Sequence, residues 1–434
     1  MEELLIAEPP VEPISSYRDE SGYKKPVDDS PLRGESEGGW PSGHPLPLPK
    51  WGPLGDPDPG WGPLPPDPAR PAEGRAGRGP GHVPGTGPRT GPATGHRLTA
   101  VRVETVVDYE DLAARVEHTT QQLLRDHHYN TLGNFLRFYS AYSQRGDQDA
   151  ARLFREYRPP ITAAHHTCVG LGMTLQRQLS ALPGSAGVRL RAALHLVSCE
   201  EAIENPAAYL SEVPSPTTSE KEHVLVAARV DIGGRRGVLL LDPGYHVARV
   251  VTVMSDGLYP HTGWFTQSDE PEVRREYMYT LSPDEKYVLW TVRETRGERQ
   301  TLSVNLVYVE RPYLSAVTVT ERRNIVYNFR SLLARNTKGQ LTAGVYFPLA
   351  VVSADAGPAC TVFYSEVVAG TSVKRRELDV EQELALVLCS QQLGMHDDQL
   401  EEILTKVAHV MADATFIKQV LDINNAIEEM SDDN

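Results

Sequence analysis

Three residues in this 434-residue chain have types and positions suited to joint chemistry: Cys168, His223 and Asp242. Cys168 opens the run CVGLGMTLQRQL, whose apolar spacing predicts a helix. The first N–H groups of a helix have no intrahelical partner and lie at the positive end of its dipole, a setting that favours a thiolate. A histidine beside such a sulfur can hold its proton, and a carboxylate on the far side of the ring fixes the tautomer. The chemistry this trio suits is nucleophilic attack by sulfur on an acyl carbon. Each residue alone also has an ordinary role: a small buried cysteine, a strand-end histidine, or a turn aspartate before Pro243 and Gly244. Order and register together point to the triad.

The elements that must position these residues can be read from the same stretches. His223 is the first residue of HVLVAARVDI, and Asp242 closes GVLLLD. The two apolar runs flank Gly233 and Gly234, which predicts an antiparallel hairpin. The point halfway between residues 223 and 242 falls at that turn. The two side chains are therefore expected nearly opposite each other, within cross-strand reach.

A cysteine capping a helix, then a histidine on a strand, then an aspartate on the next strand: this order resembles the transglutaminase-like papain fold superfamily. Within it, the arylamine N-acetyltransferase family is the likeness seen here. The resemblance covers roughly residues 105 to 345 and rests on TCVGLGMTLQRQL, EHVLVAARVDI and GVLLLDPGYH. DPGY is similar to that family's aspartate followed by a Gly-aromatic turn. YVLWTVRE and LSVNLVYV resemble its downstream barrel strands. His165, His166 and Thr167 stand where the family carries an Arg-Gly-Gly run before the cysteine.

The resemblance implies acyl transfer in which Cys168 takes an acetyl group from acetyl coenzyme A and passes it to a small-molecule amine or a peptide. His165, His166, Tyr245, Trp264 and Phe265 are the expected substrate-binding residues, and no metal is expected. Two other functions suit the same residues: a cysteine peptidase or deamidase on the same fold, and a catalytically inactive interaction scaffold.

Composition sets the frame. Most of the 34 prolines and about half of the 35 glycines fall in the first hundred residues. Such a segment has too little apolar surface to offset its ordering entropy, so residues 1–100 are expected to be a disordered arm. The arm holds a near-repeat, WGPLGDPDPG then WGPLPPDPAR, whose tryptophans beside prolines could engage a partner. A formal charge of -15 disfavours nucleic acid. The four cysteines form no CxxC pair, which argues against structural zinc and a disulfide framework. No long apolar run or secretory leader is apparent, so no membrane role is expected and the anticipated setting is cytoplasmic or nuclear.

The expected fold class is α+β, with N-terminal helices carrying the cysteine packed on an antiparallel sheet or barrel. Residues 101–350 form the expected catalytic domain, and 351–434 a strand pair with a helical extension. In detail, the helical spacing from Tyr109 to Gln144 predicts one helical stretch with a bend at Gly133. GVRLRAALHLVS reads as a strand, and ERRNIVYNFRSLLARN as a helix. Leu400, Ile403, Leu404, Val407, Val410 and Met411 predict an apolar helical stripe, with Asp397 and Asp398 at its start.

Overall fold

A computed structural model describes residues 99–162, 166–211, 220–270, 272–350, 359–368, 371–375, 382–396 and 398–431. It also describes three short strands nearer the amino terminus: β1 (Ser15–Arg18), β2 (Lys24–Val27) and β3 (Leu46–Pro47). The Trp51 and Trp61 repeat, the remainder of the expected arm, His165 and Asp397 lie outside the described residues. Everything described belongs to one compact unit.

The chain enters this unit through β4 (Ala100–Val103) and α1 (Val106–Asp126). Thr105 begins α1 with a capping box: its hydroxyl accepts from the Asp108 N–H, and the Asp108 carboxylate accepts from the Thr105 N–H. The expected continuous helix then breaks. β5 (Tyr129–Asn130) intervenes before α2 (Leu132–Ser143). The cause is tertiary. The Asn130 N–H donates to the His166 carbonyl at 2.7 Å, while the Asn130 side chain accepts from the N–H groups of Leu132 and Gly133 and so starts a new helix. α3 (Ala150–Glu156), capped by Asp149, ends ahead of Pro159 and Pro160.

α4 (Cys168–Ser180) and α5 (Ser185–Ala193) lead into β6 (His195–Glu200). The expected strand over GVRLRAALHLVS is thus half helix. Ala186, Leu190 and Ala193 recur at helical spacing and are buried, whereas Val188 is 68% exposed. α6 (Pro206–Ser211) precedes a run of strands: β7 (His223–Ile232), β8 (Arg235–Leu241), β9 (Val251–Met254), β10 (Phe265–Asp269), β11 (Arg274–Leu281), β12 (Tyr287–Arg296) and β13 (Arg299–Tyr308). Among the described residues they form a nine-stranded sheet in the order β10-β11-β12-β13-β6-β7-β8-β9, with β4 lying parallel to β7. The sheet curls into an antiparallel half-barrel. The architecture is mixed helix and sheet, consistent with the α+β class.

The inner face is filled by Trp290, Tyr277, Tyr279, Leu225, Val238 and their neighbours. The outer face of the β6–β9 region, with Val226, Ala228, Leu239 and Leu241, packs on α1, α4 and α5. Gly172 permits the close approach of α4, because a Cβ there would lie 3.1 Å from Leu196 Cδ2. The same Cβ would lie 3.6 Å from Val226 Cγ2 of β7, so the cysteine-bearing helix rests directly against the strand that carries the histidine.

Beyond β13 the chain makes a π-turn (Val317–Glu321) and a short α7 (Arg322–Val326), then β14 (Phe329–Arg335) and β15 (Leu341–Pro348). The helix expected over ERRNIVYNFRSLLARN stops at Val326. β14 is buried on nearly every residue, and such an apolar run does not reveal its period. β14 pairs with β5 and β15, and β15 pairs with β16 (Ala359–Val368), which is followed by β17 (Thr371–Arg375). The expected boundary after residue 350 falls between two paired strands. α8 (Gln382–Gln392), α9 (Gln399–Met411) and α10 (Ala414–Ser431) share one core with α2 and this second sheet. Leu400, Leu404, Val407, Val410 and Met411 are buried along α9. Asp398 is the residue before α9, but its side chain makes no capping bond.

Candidate active site

The β7–β8 hairpin sets the first two side chains. Its ladder runs from Ile232 opposite Arg235 to Val226 opposite Leu241. Continued by count, this register puts Asp242 opposite Leu225 and Gly244 opposite His223. His223 and Asp242 are therefore diagonal neighbours, two residues out of the directly opposed arrangement expected. The offset is even, so both side chains stay on the same face. His223 Nε2 lies 3.0 Å from Asp242 Oδ1, and both residues are buried. The Tyr245 N–H donates to the same carboxylate oxygen at 3.0 Å, which holds Asp242 in place through the turn.

Gly244 is where the third residue enters. A Cβ at this position would fall 2.7 Å from Cys168 Cβ and 2.7 Å from His223 Cε1. The cysteine and the imidazole thus face each other across the space of one missing methyl group. Cys168 is the imidazole's neighbour on that side. With Nε2 on the carboxylate, Nδ1 is the nitrogen left for sulfur. Burial opposes a charge on His223, but the Asp242 charge, its hydrogen bond and the contact with Cys168 outweigh it. The net effect raises the imidazole well above its usual value.

Cys168 opens α4 and is only 1% exposed. Thr167, the residue before it, is extended and does not cap the helix. Its hydroxyl donates instead to the Glu321 carboxylate, which also accepts from Asn134 Nδ2 at 2.5 Å. Glu321 is fully buried, and burial pushes its carboxyl up to about 7, partly offset by these two donors. One turn on, Asn324 Nδ2 lies 4.0 Å from Cys168 Sγ, and the Tyr129 hydroxyl donates to Asn324 Oδ1 at 3.0 Å. Ala316, Tyr313 and Val317 pack over Cys168 from the same segment.

Beside His223 lies a narrow cavity of about 50 Å³. Tyr129, Gly244 and Asn324 border it near the triad, and Glu201, Glu222, Arg275 and Arg335 give it polar walls. Tyr245 lines it too, its hydroxyl donating to Glu201 Oε1 at 2.5 Å.

Of the other expected substrate-binding residues, His166, Trp264 and Phe265 lie elsewhere. His166 is buried with its ring 4.2 Å from that of His127, and it is not among the residues lining the cavity. Trp264 lies under the Arg293 guanidinium, 4.3 Å away, and borders a separate, open cavity with Tyr109 and Tyr259. Phe265 packs against Tyr277 and Tyr279 in the half-barrel. Neither Trp264 nor Phe265 lines the cavity beside His223; from β10 it is Gln267 that does.

Asn324, Glu321, Tyr129 and Glu201 were not among the expected site residues. Asn324 and Glu321 lay inside a run read as an ordinary helix, and no spacing in the sequence tied them to Cys168. Among the described residues no cluster of three or more His, Cys, Asp or Glu side chains could hold a metal ion, and no helix is long and apolar enough to cross a membrane. No protein-family model, curated protein or solved structure matches this chain.

Proposed function

We propose that this chain is a cysteine-dependent acyl-transfer enzyme with a papain-like, arylamine N-acetyltransferase-like arrangement, in which Cys168 is the nucleophile, His223 the base and Asp242 the residue that orients the base. The observation that carries this reading is the imidazole held between two partners: Asp242 at 3.0 Å on one nitrogen and the Cys168 thiol on the other side. The thiol proton moves to His223, and the sulfur lone pair forms a bond to a thioester or amide carbonyl carbon. The displaced carbonyl electrons rest on oxygen, near the free N–H groups at the start of α4. Collapse breaks the bond to the leaving group, which takes the proton from His223. An amine or water then attacks the thioacyl carbon, giving its proton to His223, and the thiol is restored.

The cavity's size bears on the donor. About 50 Å³ admits a small acyl group and not a whole coenzyme A thioester. Acetyl coenzyme A, the donor implied by the family resemblance, would react in this arrangement only with its coenzyme moiety outside the cavity. The same dimensions favour a second reading, hydrolysis, because the space beside His223 suits a water molecule as acceptor.

The test uses p-nitrophenyl acetate and intact-mass measurement. The wild-type chain is expected to gain one acetyl group on Cys168 in a burst of p-nitrophenolate. Cys168→Ala is expected to show no adduct, and His223→Ala a rate at least about a thousandfold slower. A normal burst from Cys168→Ala would refute the reading. Added arylamine that accelerates turnover supports transfer; turnover indifferent to amine supports hydrolysis.

A further inference from the structure

We infer that Asn324 is an oxyanion donor for the acyl-transfer reaction, working with the backbone N–H groups at the start of α4. The inference deepens the proposed function and rests on it. The amide of Asn324 has one orientation, set by its neighbours. The carbonyl of Thr320 can only accept, and Asn324 Nδ2 is 2.9 Å from it, so that end of the side chain carries the hydrogens. The opposite end, Oδ1, accepts from the Tyr129 hydroxyl at 3.0 Å. The amide is thus fixed from both sides by neighbours that leave it one orientation.

An NH₂ group has two hydrogens. One goes to the Thr320 carbonyl, and the other lies on the side of Cys168 Sγ, 4.0 Å from Nδ2. A distance of 4.0 Å is long for holding a resting thiol. It suits a donor whose partner arrives with the substrate: when sulfur bonds to an acyl carbon, the oxyanion forms one bond beyond that carbon. Asn324 borders the cavity beside His223, so an acyl group entering there meets the amide.

Asn324 itself is 4% exposed, and a hydrogen-bond donor in so dry a site acts on a developing negative charge with little screening. It is held firmly. α7 continues directly from the π-turn whose Glu321 carboxylate ties Thr167, the residue before Cys168. One short segment therefore grips the start of α4 with one side chain and presents an amide to the sulfur with the next. π-turns of this kind recur at functional sites.

An oxyanion donor and a residue that merely steadies the thiol differ in one measurable way. Alkylation of Cys168 by iodoacetamide needs the sulfur nucleophile but forms no oxyanion at a carbonyl. Acylation by p-nitrophenyl acetate needs both. In the full-length chain, Asn324→Ala is expected to slow acylation roughly 100-fold or more, while iodoacetamide alkylation changes by less than about threefold. Tyr129→Phe removes the hydroxyl that fixes the amide and keeps the ring. It is expected to slow acylation roughly tenfold and to spare alkylation, and it tests the idea should Asn324→Ala fail to fold by circular dichroism.

Equal losses in both reactions would overturn the inference and make Asn324 a thiol-positioning residue. No loss in either variant would overturn it outright. A wild-type chain that alkylates at Cys168 but is not acylated would likewise overturn it, along with the acyl-transfer reading. A wild-type Cys168 inert to both reagents would show that the proposed nucleophile itself is wrong, a failure distinct from that of Asn324.

Discussion

The two sides of the candidate site are built by different means. His223 and Asp242 belong to one hairpin, nineteen residues apart, and their meeting follows from the register of β7 on β8. The cysteine side depends on contacts between residues far apart in the chain: Thr167 with Glu321, Cys168 with Asn324, and Tyr129 with Asn324. A hairpin register is local and survives small changes elsewhere. A site closed by an irregular segment is only as good as the packing that holds that segment. The base is thus fixed by backbone pairing, and the nucleophile's surroundings by tertiary fit.

The largest effect is expected at Gly244, which lies between Cys168 and His223. Gly244→Ala places a Cβ where Cys168 and His223 already lie 2.7 Å away. Overpacking of this sort costs about 1–3 kcal/mol. The expected outcome is a loss of acylation of about 100-fold or more, with a lower melting temperature. A variant with wild-type acylation would show that the two sides are not in contact as described.

Next in size is the dependence of stability on pH. Glu321 is raised to about 7 by burial, against an ordinary value of 4.5. Between those values the folded chain binds the proton that the unfolded chain has released. Stability is therefore fully present below about 4.5 and declines as pH rises to about 7, by on the order of 3 kcal/mol. His223 is raised above 6.5 chiefly by Asp242 acting against burial. Its contribution is present below 6.5 and is lost as pH rises through its folded value, so the two losses follow one another in the same direction. Denaturant melts across pH are expected to show the lower stage vanish in Glu321→Gln and the upper stage in His223→Gln. If Glu321→Gln keeps the lower stage, the cysteine side is not held by a titrating carboxyl.

The smallest effect lies on the hairpin side. Arg235 pairs with Asp256 at 2.7 Å near the turn, on the protein surface. The pair is forked, with Arg235 Nη2 also donating to Asp256 Oδ1 at 2.9 Å, but solvent exposure keeps its contribution small. Asp256→Asn is expected to shift the melting temperature by no more than about a degree and to leave acylation unchanged. A large loss of acylation would mean that the hairpin is less self-sufficient than its register suggests.

Legibility in the sequence follows the same division. The hairpin could be read because Gly233 and Gly234 punctuate two apolar runs, and counting from that turn brought residues 223 and 242 together. The count missed by two residues, since the turn occupies Gly233 and Gly234 and the ladder closes on Arg235 rather than earlier. An odd error would have sent Asp242 to the other face. The start of α4 at Cys168 was equally visible in its apolar spacing. Residues 187–198 and 321–336 were misread because short apolar runs carry no decisive period, and neighbours in space chose for them. Asn130 shows this in miniature: where the local pattern would continue a helix, its N–H donates to the distant His166 carbonyl.

A cysteine at a helix start and a histidine and an aspartate on one hairpin could be read from the residues alone, because helix spacing and turn chemistry act between residues close in the chain. Long-range packing sets the room at Gly244 for sulfur to meet the imidazole, and it brings Glu321 and Asn324 over the cysteine. Those contacts join residues as much as 156 positions apart, and only the packing of the folded chain brings them into one place.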